Sequence, residues 1–426
     1  MRYLGMIMNV AGLAAMAAAA TTAAAASGQL DPSFGKGGIV VTQFGNNVRP
    51  LDAVLQRDGK IVVAGGVDDF RIASELAVVI RYMPDGSLDP GFGKNGVATD
   101  SITTFANEAE AVVVQADGKI LILQRATRTN GPNDEFTLVR FRGDGHRDVS
   151  FGNAGQLVVQ FPHPAFFATS VNTLLVQPDQ KILIGGSVVA PRHNPTLPKT
   201  VVARFTASGA ADITFGSNGV TEVVAIGAPD AMAVLADGGI LAANISEQTA
   251  QFTPQGTLLP RVVGGVVTAS THPGTTTFRS DAEFLVAAGA QGPSGERDSD
   301  VKVLLMEATG SLDPNFQSPP FDFGASGPYV NLAQAIAIGP SGEIAVAGLS
   351  QTPSFGDDFG VARLHFNGSL DAHFANGGKL TTHFPHGGQV LAVLVQPDAK
   401  IVAIGQSFSN DTSIPVDLAL VRYLTQ

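Results

Sequence analysis

The chain has 426 residues, 26 Lys and Arg against 37 Asp and Glu, a formal net charge of −11, and 44% hydrophobic but only 15% charged residues. It contains no cysteine, which excludes a disulfide framework, a thiolate metal site and a lipid-anchored cysteine. The acidic balance disfavours nucleic acid and anionic membrane as partners and favours cations or basic ligands.

Residues 1–26 stand apart from the rest. Arg2 precedes an uncharged apolar run from Tyr3 to Ala20, and Ala24-Ala25-Ala26 comes just before Ser27. That is the layout of a secretory signal peptide with a small-residue cleavage site. The expectation is a signal peptide over 1–26 and a single domain over 27–426, exported as a monomer to the periplasm or beyond. No other stretch is long and apolar enough to span a bilayer, so no membrane insertion is expected after cleavage.

From Leu30 onward one phrase returns seven times, about every 58 residues, the signature of one supersecondary unit copied along the chain. Leu30-Asp31-Pro32-Ser33-Phe34-Gly35 recurs from Leu88 to Gly93, and in shorter form from Asp148 to Gly152 and from Asp212 to Gly216. Weaker copies run from Leu312 to Phe316 and from Leu370 to Phe374, and Thr257-Leu258-Leu259-Pro260 has lost both the Asp and the Phe. About 25 residues after each copy comes an apolar hairpin around a turn such as Gln56-Arg57-Asp58-Gly59-Lys60 or Gln115-Ala116-Asp117-Gly118-Lys119. Asp bonds its own backbone there and Gly takes the left-handed position. In the degenerate fifth unit the turn is read at Thr271-His272-Pro273-Gly274. A third strand follows, as in Ala77 to Tyr82, then a second Gly turn, and a fourth strand, as in Gly38 to Phe44. Four short strands per unit and almost no helical periodicity predict an all-β fold: a seven-bladed β-propeller of four-stranded blades, its ring closed by the N-terminal strand joining the last blade.

These motifs, Leu-Asp-x-x-Phe-Gly and Gln-Pro-Asp-Gly-Lys-Ile-x-Val-x-Gly, resemble those of the bacterial delta-60 repeat proteins, over nearly all of the chain after residue 26. The blade order is similar to that of NHL-type propellers. The resemblance implies an exported repeat protein without an established activity, and it supplies no catalytic residues.

Arg and Asp recur eight residues apart: Arg81 with Asp89, Arg140 with Asp148, Arg204 with Asp212, and Arg363 with Asp371. Where the Arg becomes Gln251 the Asp becomes Leu259, so the two are expected to pair across a blade corner as a structural fork. Ring closure extends the relation to Arg422 and Asp31. Met306 with Asp313 departs from it, leaving an independent turn-capping role for the Asp open.

His365, His373, His383 and His386 cluster in sequence, but residues three apart on a strand point to opposite faces, which argues against a metal site. The connectors on the rim opposite the Gly turns vary in length and content, and a rigid scaffold with variable loops is a common way to build a binding site. On that rim lie Asp68, Asp69, Asp134, Glu135, Asp298, Asp300, Asp357 and Asp358. Two readings stay open for them: exposed, solvated strand ends that discourage edge pairing, or carboxylates able to hold a hard cation such as calcium.

No Gly-rich phosphate loop, nucleophile elbow or Ser-His-Asp set can be picked out. The first functional reading is a non-enzymatic binding scaffold without a cofactor, taking a protein or glycan on the variable face. The alternative is a metal-assisted hydrolase or lactonase with its site in the central channel. That alternative needs polar residues on the inner strands, where Ala109 to Val114 and Val390 to Val395 are mostly apolar.

Overall fold

A computed structural model of the chain describes residues 26–44, 47–69, 74–100, 107–126, 135–159, 167–189, 199–244, 248–263, 276–280, 283–291, 299–307, 311–324, 330–351, 357–408 and 416–425. β-Branched and aliphatic runs broken by Gly turns favour strands throughout, and the described residues contain no helix. None is therefore long and apolar enough to cross a membrane.

The first strand, β1 (Ile39–Thr42), leaves its sequence neighbours and pairs elsewhere. The first sheet is β2 (Val48–Leu55), β3 (Ile61–Asp69), β4 (Ser74–Tyr82) and β5 (Val97–Asp100). The second is β6 (Asn107–Val114), β7 (Ile120–Ala126), β8 (Glu135–Phe141) and β9 (Gln156–Val158), and the third β10 (Phe167–Val176), β11 (Ile182–Val189), β12 (Lys199–Phe205) and β13 (Val220–Val223). The fourth is β14 (Ala231–Val234), β15 (Ile240–Ala243), β16 (Thr249–Phe252) and β17 (Leu258–Val263). The fifth has three strands, β18 (Thr276–Ser280), β19 (Glu283–Gln291) and β20 (Ser299–Glu307). The sixth is β21 (Asn331–Ile338), β22 (Ile344–Gln351), β23 (Asp357–Leu364) and β24 (Lys379–Thr382). The last holds β25 (Gly388–Val395), β26 (Ile401–Ser407) and β27 (Asp417–Tyr423), with β1 on its outer edge.

Pairing is antiparallel in every sheet, and β1 meets β27 from Ile39 opposite Val421 to Thr42 opposite Leu418. The first strand of each sheet touches that of the next, from β2 through β6, β10, β14, β18 and β21 to β25, and β25 touches β2. Because each sheet is covered on both faces, its middle strands are apolar without alternation. Ile61, Val62, Val63 and Ala64 are all buried, as are Ile401 to Ile404.

The corner Phe of the repeated phrase explains the second Gly turn. Phe34, Phe92, Phe151 and Phe215 are fully buried, each under the Gly turn of the adjoining sheet. A Cβ on Gly86 would stand 2.9 Å from Phe34, and one on Gly209 2.9 Å from Phe151. The two motifs therefore lock neighbouring sheets together.

The fifth sheet departs from the expected four strands. In place of an outer strand it has a single bridge, Val301 with Phe321, because Pro319 and Pro320 lack the amides that a ladder needs. The Ser318 hydroxyl accepts the Val303 amide instead, at 3.1 Å. In the fifth sheet Ser280 of β18 pairs with Glu283 of β19, whereas the turn read at Thr271 to Gly274 lies outside the described residues.

Candidate functional site

The Arg and Asp corners are the strongest polar signal in the sequence. Arg81 Nε donates to Asp89 Oδ2 at 2.8 Å, Arg140 to Asp148 at 2.9 Å, Arg204 to Asp212 at 2.7 Å, and Arg422 to Asp31 at 2.9 Å. All eight side chains are buried. Each guanidinium also lies 4.5–4.6 Å from the ring centre of its corner Phe, a cation–π contact. Its Nη1 crosses to a turn carbonyl of the next sheet: Arg81 to Gly143 at 2.7 Å, Arg140 to Ala207 at 2.7 Å and Arg204 to Pro254 at 2.6 Å.

The second oxygen of each Asp caps its own turn, as in Ser33 N to Asp31 Oδ1 at 2.9 Å. Burial pushes the Asp31 carboxyl up, but the hydrogen bonds from Ser33 and the charge of Arg422 outweigh it and hold the group at about 2. Burial acts on Asp148 and Asp212 in the same direction and is again outweighed, by the hydrogen bonds of Ser150 and Thr214, so both are lowered. Such corners, spread from sheet to sheet, are mortar between sheets.

Two corners differ. Arg363 meets Asp371 only through Nη1, at 3.4 Å, and its Nε is buried without a partner. In the fifth unit the Asp313 amide bonds the Leu305 carbonyl at 2.9 Å, as Asp89 bonds Arg81. Leu305, and not Met306, therefore occupies the Arg position. Asp313 still caps its turn, accepting the Asn315 amide at 2.8 Å, so the capping role does not depend on the Arg.

Of the acidic side chains assigned to the variable rim, the described ones have different surroundings. Asp68 is half-buried and accepts Asn47 Nδ2 at 2.7 Å. Asp300 is half-buried on β20, opposite Ala290. Asp69 and Glu135 end and begin strands, and Asp134 and Asp298 lie outside the described residues. Asp357 is half-buried, its carboxyl raised by burial and by neighbouring Asp358. The expectation that this pair is exposed fails at Asp358, which strand alternation turns inward. It is 5% exposed and sits 3.0 Å from His383 Nδ1. His365 and His373 instead flank Asp371, at 3.6 and 3.5 Å. Among the described residues no group of three or more His, Asp or Glu is arranged to hold a metal ion.

The structure also has a charged cluster beside an open cavity of about 270 Å³ between the first strands. A bulge in β2 after Pro50, and another in β6 after Ala109, re-aim the residues that follow. Asp52 and Glu110 line the cavity together with Thr173 and Asp230. Asp52 accepts the Val112 amide of the next sheet at 2.8 Å and the Ala53 amide at 2.8 Å. Burial nevertheless pushes its carboxyl up to about 6, against those two bonds.

Also on β6, Glu108 is buried between two arginines and bonds both Arg49 and Arg125. Arg49 also meets Glu75 at 2.8 Å, and Arg125 meets Glu110 at 2.7 Å. Burial raises the Glu75 carboxyl, with Arg49 opposing. Among the described residues, Glu75, Glu108 and Glu110 thus share the two guanidinium groups of Arg49 and Arg125.

The differences among the copies carry a signal for this cluster that the shared motifs do not. Gly65, Gly186, Gly348 and Gly405 share one position on the second strands, and a Cβ on Gly65 would fall 2.0 Å from the Arg49 carbonyl. The second sheet has Gln124 there, followed by Arg125. The same alignment of copies sets Asp52 against Ala111, Ala335 and Ala392.

Three segments, 56–92, 115–151 and 339–374, match the model of a domain of unknown function, DUF5122, described as a beta-propeller. The chain is a β-propeller repeat protein. Among solved structures it is similar to "YCF48 bound to D1 peptide", at 10% identity and a TM-score of 0.50, over 93% of this chain and 99% of that one. It is also similar to the WD40 beta propeller domain of Doa1, at 11% identity and a TM-score of 0.44, over 91% and 98% of the two chains. Polysaccharide lyase Uly1 matches at 10% identity and a TM-score of 0.46, over 88% and 90%. No curated protein matches the sequence.

Proposed function

We propose that the chain is an exported seven-bladed propeller of the delta-60 repeat type, acting as a binding scaffold for a basic segment of a protein partner. The unbroken succession of first-strand contacts from β2 round to β25 and back supports a closed ring, and the β1–β27 pairing supports its closure by the N-terminal strand. The repeated motifs support the delta-60 assignment, and the apolar leader over 1–26 supports export.

The observation that carries the binding reading is the set of carboxylates, Asp52, Glu110 and Asp230, that line the cavity between the first strands. A lysine or arginine of the partner entering the cavity would be attracted to them. A propeller of similar fold has been solved with a peptide bound, which makes a peptide ligand a reasonable class to test. Titration with a lysine-rich peptide at two salt concentrations is the experiment. Binding that weakens with salt and is lost in Glu110→Gln with Asp230→Asn is expected; equal binding by that variant sinks the reading.

The alternative, hydrolysis in the channel, draws on one observation as well. The inner strands are more polar than their sequences indicated, with Asp52 titrating near neutrality in the cavity, where a general acid or base would be useful. Turnover of an ester or lactone that is abolished in Asp52→Asn would favour it over the scaffold.

A further inference from the structure

Four corners share a two-carbonyl pattern. The Arg Nη1 and the amide of the residue after the corner Phe bond two consecutive turn residues of the adjoining sheet. Arg422 and Gly35 bond Pro84 and Asp85; Arg81 and Gly93 bond Gly143 and Asp144; Arg140 and Gly152 bond Ala207 and Ser208; Arg204 and Gly216 bond Pro254 and Gln255.

At the Arg363 corner the same two acceptors are Thr425, at 2.8 Å, and Ser27, bonded by the Ala375 amide at 3.1 Å. The rest of the turn matches too. Met83 N to Ser87 O at 2.7 Å and Gly86 N to Met83 O at 2.9 Å become Leu424 N to Gln29 O at 2.8 Å and Gly28 N to Leu424 O at 2.6 Å. Gly28 (φ 81°) stands in the left-handed region, as Gly86 (φ 86°) does. Thr425 and Ser27 thus take the places of two residues that are joined by a peptide bond in the other corners.

Ser27 is consequently the first residue that this corner uses. Ala26 is exposed, and it bonds Gln29 through its carbonyl and its amide, at 3.1 and 3.2 Å. The hydroxyls of Ser27 and Thr425 are buried at this seam without a partner. Buried polar groups are ordinarily paired, and the oxygens of these two hydroxyls can accept from an added donor.

We infer that the Ala26–Ser27 peptide bond is a processing site, and that maturation completes the split corner; export, proposed above, is the premise. Hydrolysis adds one water across the C–N bond, leaving a carboxylate on Ala26 and an ammonium on Ser27. The small residues Ala24 and Ala26 suit a peptidase that reads small side chains before the scissile bond. Cleavage gives up the contacts of Ala26 to Gln29, and the new ammonium brings added donors to the seam.

The test is the intact mass of the full chain after expression in an exporting bacterium, with Ala26→Phe as the blocked variant. A product beginning at Ser27, and retention of the leader in Ala26→Phe, are expected. A product that keeps Met1 overturns the inference together with export. One that begins at any residue other than Met1 or Ser27 overturns the inference and leaves export standing. So does a processed protein whose melting temperature equals that of the blocked variant.

Discussion

Arg422 Nη2 stands 2.8 Å from Asp31 Oδ2, and the two residues come from opposite ends of the described chain. Their corner repeats the one that Arg81 makes with Asp89, so a single design serves both a local turn and the joint between β1 and β27. Asp31 is also met by Lys400 at 3.2 Å. The carboxylate therefore ties together the outer strand, the third strand and the hairpin turn of the last sheet.

Asp31→Asn should destabilise the protein at neutral pH and lose its effect in acid. The folded carboxyl, at about 2, lies below the ordinary value of 3.8, so its stabilisation is present above about pH 4 and is lost as pH falls through 2. A folded-state pKa one unit lower corresponds to about 1.4 kcal/mol, which gives roughly 2 kcal/mol at pH 7. Urea unfolding at pH 7 and at pH 2.5 measures it; an equal penalty at both would contradict the linkage.

Asp52 should behave with the opposite sign. Its folded carboxyl, at about 6, lies above the ordinary value of 3.8, so its contribution is fully present below about pH 4 and is lost as pH rises through 6. Asp52→Asn is expected to stabilise the protein at pH 8 by on the order of 1 to 3 kcal/mol relative to the difference at pH 4. The comparison of denaturation midpoints at the two pH values decides it. A pH-independent difference would mean that the carboxyl is not held protonated by burial.

Gln180 (φ 66°) and Ala399 (φ 65°) occupy the left-handed turn position that Gly59 and Gly118 fill elsewhere. A residue with a Cβ in that conformation costs about 1 kcal/mol. Gln180→Gly and Ala399→Gly should each raise stability by roughly 0.5 to 1 kcal/mol, less than the full strain because glycine loses more backbone entropy on folding. Thermal melts of both variants, against Gly59→Ala as the destabilised counterpart, are the check.

The turns and corners were legible in the sequence because each depends on residue types at fixed short spacing, and seven copies repeat the statement. Asp31 with Arg422 could be anticipated only by treating the chain as a ring. Asp52, Glu108 and Glu110 were not legible as a site. They lie in strands that read as apolar, and bulges turn Asp52 and Glu110 toward the cavity. Asp358 shows the reverse: two adjacent acids read as an exposed strand end, yet alternation sends one of them inward against His383. The fifth outer strand was lost to Pro319 and Pro320, whose effect depends on which edge they meet.

Leu305 gives the sharpest test of the corner as a transferable unit. It holds the Arg position above Asp313, beside Phe316, but supplies no charge for the carboxylate and no cation for the ring. The cavity lined by Leu305, Asp313 and Phe316 measures about 500 Å³, which leaves room for a longer side chain. Leu305→Arg can therefore place its fork on Asp313, its plane over Phe316 and its Nη1 toward the turn that already receives Gln317, at Asn367. A bare buried guanidinium would be costly, so the sign of the effect depends on all three partners being met. A gain of about 1 kcal/mol is expected, abolished or reversed when Asp313→Asn is added. A loss of stability in the single variant, unchanged by Asp313→Asn, would show that the fifth corner has been repacked beyond recovery and that the motif works only where its neighbours keep the register.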